Sequence, residues 1–555
     1  MSRASRVNGL RDCTVRGEKH LARDCECRRL CAIIAADFDQ GRIMLETLSI
    51  KNFKAFSDWQ DIKLAPITLI YGPNSSGKSS IIHSIMLLKQ SITRPNVQGG
   101  LVSNGEYVDL GDFSSMVHGH KREDPIAFKF SYLPTTKQSV SGLDFDVFGK
   151  SRKREYELTY RHMDGEKEHK GFSYIDSMSV SVSNADDNAI LFYTEINSAL
   201  PRKVQELRSD LAKLEKSIES ATDKEKNKLS LQLDDFRRKA PAIKIAAAKT
   251  FSFSGRKAWS SASEYLKGRP RFNNKEIDID KLLDYVTFRS DLNYATPSMA
   301  TYEGKANPSK DTEGIFYLNF TYGSLARDLK DKFSSVTYLG PLRSHPSRIY
   351  APKTDQNDSV GKQGENVARF IYERPEITED INHWFSSFEV PYELSSAGIG
   401  NDVSGPVICL QLKDKRTDVI VGPSDVGFGI GQMLPIIVEG LVRDDSVICV
   451  EQPEIHLHPR LQANLANFFV KTCDSNQWII ETHSESLLLR LQAMIARKEL
   501  SPKQVAIYYV EPTKAGGEII PIRLDSDGDF IDAWPEGFFE ERLREKYRDK
   551  MVTPK

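Results

Sequence analysis

No run of about eighteen apolar residues occurs in the chain, which excludes a helix able to span a bilayer. The N-terminus carries basic residues but no uninterrupted apolar stretch and no small-residue cleavage site, so no secretory leader is expected and the chain reads as cytoplasmic. Cysteine is scarce, seven in 555 residues, which excludes an oxidised scaffold. Cys409 and Cys449 lie within apolar runs and are expected to be buried free thiols, whereas Cys473 stands in a polar stretch. Cys13, Cys25, Cys27 and Cys31 crowd the first residues near His20, but their spacing lacks the paired C-x2-C knuckles of a strong zinc site. Net charge is nearly absent too, 76 basic against 77 acidic residues leaving −1. A uniformly basic nucleic-acid coat is thereby excluded, although a local basic strip is not. With 34 Gly, 25 Pro and 39% apolar residues, the chain is neither collagen-like nor wholly disordered. It is too long for one core and reads as a globular protein of about three to four structural units.

Residues 1–43 are polar and Arg-rich apart from Leu30 to Ala35 and read as a weakly structured extension, with Met44 a candidate natural start. From Met44 apolar and polar residues alternate, and a second apolar run, Ile67 to Tyr71, leads straight into a Gly-bounded loop. Ser79 to Gln90 then shows an apolar face at helical spacing. Short alternating runs between 125 and 200 predict antiparallel sheet. Residues 202–239 change character: Val204, Leu207, Leu211, Leu214, Ile218 and Ala221 recur at steps of three and four among charges, enough for an amphipathic helix or short coiled-coil arm. The stretch 259–286 suggests a helix, a basic turn and another helix, and the region around Tyr294 to Thr312 reads as loop. Regular apolar patterning resumes at Val336 to Leu339. The expected fold is therefore α/β: an N-terminal lobe over 44–200 with antiparallel strands, a helical insertion over 201–335, and a C-terminal lobe over 336–555.

The loop itself carries the first chemistry. Gly72-Pro-Asn-Ser-Ser-Gly77-Lys78-Ser79 matches GxxxxGK[ST] and sits between a strand and an apolar-faced helix. Glycines let backbone amides turn inward around phosphate oxygens, the helix start donates further N–H groups, a lysine reaches the outer phosphates, and a hydroxyl meets magnesium. Gly72, Asn74, Ser75, Gly77, Lys78, Ser79 and Ser80 are thus the expected nucleotide contacts. A second apolar run, Val447 to Val450, ends in Glu451-Gln452-Pro453-Glu454, two carboxylates three residues apart. One can hold hydrated magnesium while the other polarises the attacking water. His456 and His458 follow, where Pro459 and an amphipathic run signal a helix start instead of an H-x-H metal site. A third run, Gln477 to Ile480, ends in Glu481-Thr482-His483; strand ends in open α/β sheets face the ligand crevice, so His483 is a candidate γ-phosphate sensor or water positioner.

These motifs resemble the ATPase heads shared by chromosome-maintenance, RecF-type recombination and overcoming-lysogenization proteins, themselves related to ABC transporter ATPases. The resemblance implies a P-loop head that binds ATP and Mg2+ and hydrolyses ATP, split by a helical insertion. It matches Lys78 and Ser79 to Walker A, Glu451 to the Walker B magnesium acid with Glu in place of Asp, Glu454 to the catalytic glutamate and His483 to the switch histidine. It also assigns Val426 to Gln432 to the signature segment, with Gly429, Gly431 and Gln432 meeting the γ-phosphate bound by a second subunit and hence self-association through the heads. Independently, three glycines at alternate positions before the apolar run Met433 to Val438 fit an anion-facing helix start.

More narrowly, Tyr338-Leu-Gly-Pro-Leu-Arg343, Val360-Gly-Lys-Gln-Gly364-Glu365 and Trp534-Pro-Glu-Gly-Phe-Phe539 resemble a bacterial ATPase subfamily that includes the ATPase subunits of Septu and retron-associated anti-phage systems. That resemblance covers residues 44–120 and 336–547. It implies an HNH-type nuclease as partner, with a retron reverse transcriptase and its RNA-linked DNA as further components. The segment Tyr107 to Phe113 is the Q-loop candidate, without an isolated glutamine, and Arg343 reads either as a contact to nucleotide or neighbouring head or as a surface salt bridge. Asp525-Ser-Asp527-Gly-Asp529 starts like a calcium loop but has Phe530 where the turn needs glycine, and reads as a hairpin turn. No H-N-H string and no room for a Toprim-type domain are visible, so the chain is expected to lack a cutting site of its own. Lys267, Arg269 and Arg271 beside Phe272 are a candidate nucleic-acid contact. Two functional classes stay open at this point: a defence or DNA-maintenance ATPase acting with nucleic acid, and an ATP-dependent regulator that binds only proteins.

Overall fold

The computed structural model describes residues 44–93, 100–133, 153–163, 172–184, 187–196, 328–351, 359–399 and 407–535, with short pieces between 213 and 302. The extension with its four cysteines, Lys267 and Arg269, the two helices suggested around the basic turn, most of the amphipathic stretch and the end of the Trp534 to Phe539 motif lie outside the described residues.

The three apolar runs that end in the motifs become neighbouring parallel strands. In a six-stranded sheet the order is Val336–Leu339, Ser446–Glu451, Asn476–Glu481, Ile67–Tyr71, Val505–Thr513, Gly516–Ile522, and only the last strand runs antiparallel. Every residue of Ile67–Tyr71, Ser446–Glu451 and Asn476–Glu481 is buried, which is why these runs are continuously apolar instead of alternating. Period two still sorts them: Ile70, Val447, Cys449 and Ile479 enter one core, and Leu69, Ile448, Val450 and Ile480 the other. The first core is closed by Ile81, Ile82, Ile85 and Met86 of helix Lys78–Thr93 and by the large antiparallel sheet. The second is closed by helices Phe428–Val442, Pro459–Thr472 and Glu485–Ala496. Each fully buried large aliphatic contributes about 1.5–3 kcal/mol, so this three-layer packing fixes the strand ends that carry the motifs.

Gln477 ties the start of the fold to this sheet. Its buried carboxamide accepts from Met44 N (3.1 Å) and Leu45 N (2.9 Å) and donates to Leu45 O (2.9 Å) and Ala65 O (3.1 Å). Lys89, on the helix after the phosphate loop, donates to Phe333 O (3.1 Å), Ser334 O (3.2 Å) and Val336 O, which staples that helix to the first strand of the C-terminal lobe. Burial pushes its ammonium down to about 8.

The antiparallel sheet has nine strands, ordered Pro297–Tyr302, Val286–Ser290, Lys249–Ser252, Asp187–Ile196, Phe172–Asn184, Lys153–Met163, Ile126–Tyr132, Thr47–Lys51, Gln60–Lys63. Pro297–Tyr302 corrects the loop expected around Tyr294: a six-residue strand with weak alternation is specified by the ladder it joins, here with Val286–Ser290, more than by its own pattern. The basic turn is likewise a small hairpin, Arg271–Phe272 paired with Lys275–Glu276. Strands from the segment read as a helical insertion thus extend the sheet of the N-terminal lobe.

Where the chain leaves the insertion, Asp328 enters a buried polar triad. It accepts from Tyr132 Oη at 2.7 Å and pairs with Arg154, both on the antiparallel sheet. Asp328→Ala strands the Arg154 cation, 6% exposed, and is expected to cost about 3–5 kcal/mol. Urea unfolding measures this; an unchanged midpoint would remove the triad's structural role.

Candidate functional site

The phosphate loop leaves the sheet at Gly72, whose φ of 147° no other residue adopts without strain and whose added Cβ would lie 2.5 Å from Val510 O. At Gly77 φ is 106°, and a Cβ would meet that of Ala55 at 2.4 Å. Both glycines are therefore required by packing as well as by the turn. Asn74 and Ser75 are exposed at the tip, Ser75 with φ 62°. Lys78 is buried and donates from Nζ to Pro73 O at 2.7 Å. Burial lowers its pKa, partly offset by the carboxylates of Glu481 and Glu454.

Glu451 and Glu481 are register partners at the ends of adjacent parallel strands, and Glu481 pairs in turn with Ile70 just before the loop. The Glu451 carboxylate accepts from Tyr338 Oη at 3.0 Å and lies 3.3 Å from His83 Nε2. Glu481, in the cavity wall with Ser79, is pushed up to about 7 by burial first and then by the neighbouring Glu451. Glu454 is held by Thr482 Oγ1 (2.7 Å) and by the backbone N–H of His483 (2.6 Å), and burial raises its pKa above the usual carboxylate range. His483 is half-buried; desolvation and then Lys78 depress its pKa, favouring the neutral ring.

A cavity of about 390 Å³ opens here, bounded by Asn74, Ser75, Gly77, Lys78, Ser79, Ser80, His83, Gln452, Glu481 and the pair Lys54 and Ala55. Sequence reasoning missed five of these walls, Lys54, Ala55, His83, Gln452 and Glu481. Lys54 and Ala55 come from a tight bend 17 or more residues upstream of the loop, with Lys54 at φ 49°, and no local pattern announces the approach. His83 is legible in retrospect, one helical turn after Ser79. Glu481 was the last residue of a strand already singled out. Of the EQPE turn, Gln452 is the residue that lines the cavity, with φ 46°, while Glu454 reaches back to the Thr482–His483 turn.

Arg343 resolves its two alternatives in a third way. It is 6% exposed and its guanidinium donates to Glu451 O (2.9 Å) and Gln452 O (3.5 Å), bracing the backbone of the acidic turn from behind instead of forming a surface salt bridge. Its pKa is lowered to about 10 by burial.

Gly429, Gly431 and Gln432 do not join the phosphate-loop cavity of their own chain. They form the first turn of helix Phe428–Val442, with Gln432 buried. Gly431 has a packing reason to lack a side chain, since a Cβ would stand 2.2 Å from Pro346 Cγ. His458 is the N-cap of helix Pro459–Thr472, its Nδ1 accepting from Arg460 N at 3.3 Å, as the helix-start reading expects. In the DSDGD turn Asp525 Oδ1 accepts from Asp527 N and Asp529 N while Leu524 bridges Phe530, a local turn; no cluster able to hold a metal with three His, Cys, Asp or Glu groups occurs among the described residues. Cys473 corrects its reading: it caps helix Pro459–Thr472 and is buried in the second core, while Cys409 is half-buried and Cys449 buried. No helix among the described residues is long and apolar enough to cross a membrane.

The family model described as an AAA ATPase domain matches residues 44–488, a span that includes the phosphate loop, Gly429 to Gln432, the acidic turn and His483. The chain belongs to the AAA ATPase domain family. It is an ATPase. A second model, a protein of unknown function (DUF3696), matches residues 500–547, following the AAA ATPase domain. An OLD nuclease of Thermus scotoductus is 25% identical over 163 residues, covering 27% of this chain and 31% of the relative, so under a third of that relative's length is spanned. Among solved structures the chain is similar to an Smc head bound to the C-winged helix domain of ScpA (11% identity, TM-score 0.37, covering 87% of this chain and 98% of that one). It is also similar to the SMC head domain from Thermotoga maritima (9% identity, TM-score 0.34, covering 87% and 100%).

Proposed function

We propose that this ATPase works as a pair of heads that close on ATP and thereby control a separate effector, a nuclease of the HNH type, in anti-phage defence. The observation that carries the reading is the split of the site. The phosphate loop and Glu481 line the cavity with Glu451 and His483 at the same neighbouring strand ends, while Gly429, Gly431 and Gln432 lie on another helix start, outside the cavity of their own chain. At that helix start Gly429 and Gly431 are partly exposed and can meet the γ-phosphate held by a second copy, while Gln432 is buried behind them.

Within one head the backbone amides of Gly72 to Ser80 surround the phosphates and Lys78 exchanges its bond to Pro73 O for phosphate oxygens. Magnesium fits the residues present: Ser79 and Glu451 would hold it, and a buried oxygen of Glu481 lacks any hydrogen-bond partner among the described residues. When bound, the ion neutralises charge on the β- and γ-phosphates. Glu454, desolvated and hence a stronger base, orders water together with the neutral ring of His483, whose turn it fixes through the 2.6 Å bond to the His483 amide. Tyr338 and Arg343 keep Glu451 and the acidic turn in place.

The effector is assigned from three supports: the Septu and retron-type motifs, the name of the OLD nuclease relative, and the lack of a nuclease string in the sequence. A retron reverse transcriptase with RNA-linked DNA is a further component consistent with those motifs. The test mixes the purified ATPase with the product of a neighbouring HNH-bearing reading frame and DNA, with ATP, with ADP and with no nucleotide. Cleavage is expected to change by about 5- to 150-fold between nucleotide states, the range that coupling free energies of about 1–3 kcal/mol produce. Cleavage by the ATPase alone, or cleavage by the pair that ignores nucleotide, would overturn the regulatory role. Salt-sensitive DNA affinity of the pair with no nuclease effect would favour DNA maintenance instead.

A further inference from the structure

Glu481 has an environment that neither the motifs nor the family explain. It is the last residue of its strand, 3% exposed, and it lines the phosphate-loop cavity. Ser79 stands with it in the cavity wall, and its Oε2, fully shielded, has no hydrogen-bond partner among the described residues. A buried carboxylate oxygen without a donor is costly, and this one stands beside another acid. Glu451 is its register partner in the parallel ladder, so both side chains leave the same face of the sheet one strand spacing, about 4.8 Å, apart.

Lys54 lines the same cavity but makes no hydrogen bond to Glu481 Oε2, and the other nearby basic groups are turned to other work. Lys78 Nζ donates to Pro73 O, and the Arg343 guanidinium donates to the carbonyls of Glu451 and Gln452. His83 stands against Glu451, not Glu481. A nucleotide cannot supply the missing partner by itself: Glu481 lines the cavity with Gly77, Lys78 and Ser79, at the phosphate end of the loop, and a triphosphate brings only further negative oxygens there. A divalent cation satisfies all of these groups together, because hard cations take carboxylate, hydroxyl and phosphate oxygens in one shell.

We infer that Glu481 is a ligand of the divalent cation that accompanies ATP, its Oε2 meeting the ion directly or through one water, so that the protein offers Ser79 and a pair of carboxylates in place of a single acid. This rests on the ATP reading. It also accounts for the longer glutamate at position 451: two carboxylates from adjacent strands must converge on one ion, which a short aspartate reaches less readily.

The test uses full-length protein, a non-hydrolysable ATP analogue and Mn2+, with bound manganese read from loss of the free-ion electron paramagnetic resonance signal. Glu481→Gln is expected to weaken Mn2+ binding by about 10- to 100-fold, the range seen when groups supporting a metal are removed, with circular dichroism unchanged. Analogue affinity measured without metal is expected to hold or rise, since a negative charge beside the phosphates is gone. Equal Mn2+ affinity in the variant and the parent overturns the inference while leaving the ATP site intact. Failure of the parent to bind the analogue with or without Mn2+ contradicts the ATP reading itself, and Glu481's role falls with it. Should Glu481→Gln not fold, anomalous scattering from parent crystals grown with Mn2+ and the analogue decides. A manganese peak within one water of Glu481 Oε2 supports the assignment, and a peak on Ser79 and the phosphates with Glu481 out of reach overturns it.

Discussion

Lys78→Ala is expected to weaken ATP binding by about a hundredfold, the loss that corresponds to removing a hydrogen bond of about 3 kcal/mol to a charged group. Lys54 also lines the cavity, but it comes from a bend outside the phosphate loop, while Arg343 is committed to backbone carbonyls behind the acidic turn and Lys89 to the carbonyls of Phe333, Ser334 and Val336. The fold itself should survive, because Lys78 contributes one bond to Pro73 O and the buried acids that feel its charge, Glu481 and Glu454, are both already raised toward protonation. Calorimetry measures the affinity and circular dichroism the fold. Undiminished affinity in a folded variant would remove nucleotide from the loop.

Glu454→Gln is expected to keep ATP and lose hydrolysis by about 100- to 10,000-fold, the range that a positioned general base supplies. The amide can keep both contacts, its oxygen accepting from His483 N and its NH2 donating to Thr482 Oγ1, so the variant should fold and bind ATP while lacking a carboxylate to take a proton. With ATP retained, the two heads should stay closed on it, and light scattering should show an ATP-dependent species of twice the mass. A variant that binds ATP yet stays a monomer contradicts the paired-head mechanism. Gln452→Ala serves as the companion, since Gln452 lines the cavity and Glu454 does not. If Gln452→Ala abolishes hydrolysis while Glu454→Gln leaves it unchanged, the base assignment moves off Glu454.

The strand–loop–helix unit was legible because a continuous apolar run, a fixed glycine spacing and an apolar helical face are all local signals. Ile67–Tyr71 appears at the expected residues, and the helix expected from Ser79 begins one residue earlier, at Lys78. The acidic strand end was equally plain. What stayed hidden depends on pairing across long sequence separations. Pro297–Tyr302 becomes a strand through its neighbour, and Lys54 reaches the cavity because Thr47–Lys51 and its bend pack against the loop from another sheet. Glu481 is the instructive case: its strand was recognised and its neighbour His483 chosen, yet only the register with Glu451 shows that two carboxylates share one edge of the site. Arg343 likewise looked like a surface or ligand-binding arginine, since a sequence does not show which backbone carbonyls a guanidinium will brace.

The most direct measurement is a crystal structure of the full-length protein with Mg2+ and a non-hydrolysable ATP analogue. The expected result is a triphosphate wrapped by the backbone of Gly72 to Ser80, with Lys78 on its outer phosphates, the metal at Ser79 and Glu451, and Gly429 to Gln432 of a second copy against the γ-phosphate. A nucleotide bound away from residues 72–80, or a loop unchanged at saturating analogue, would contradict it.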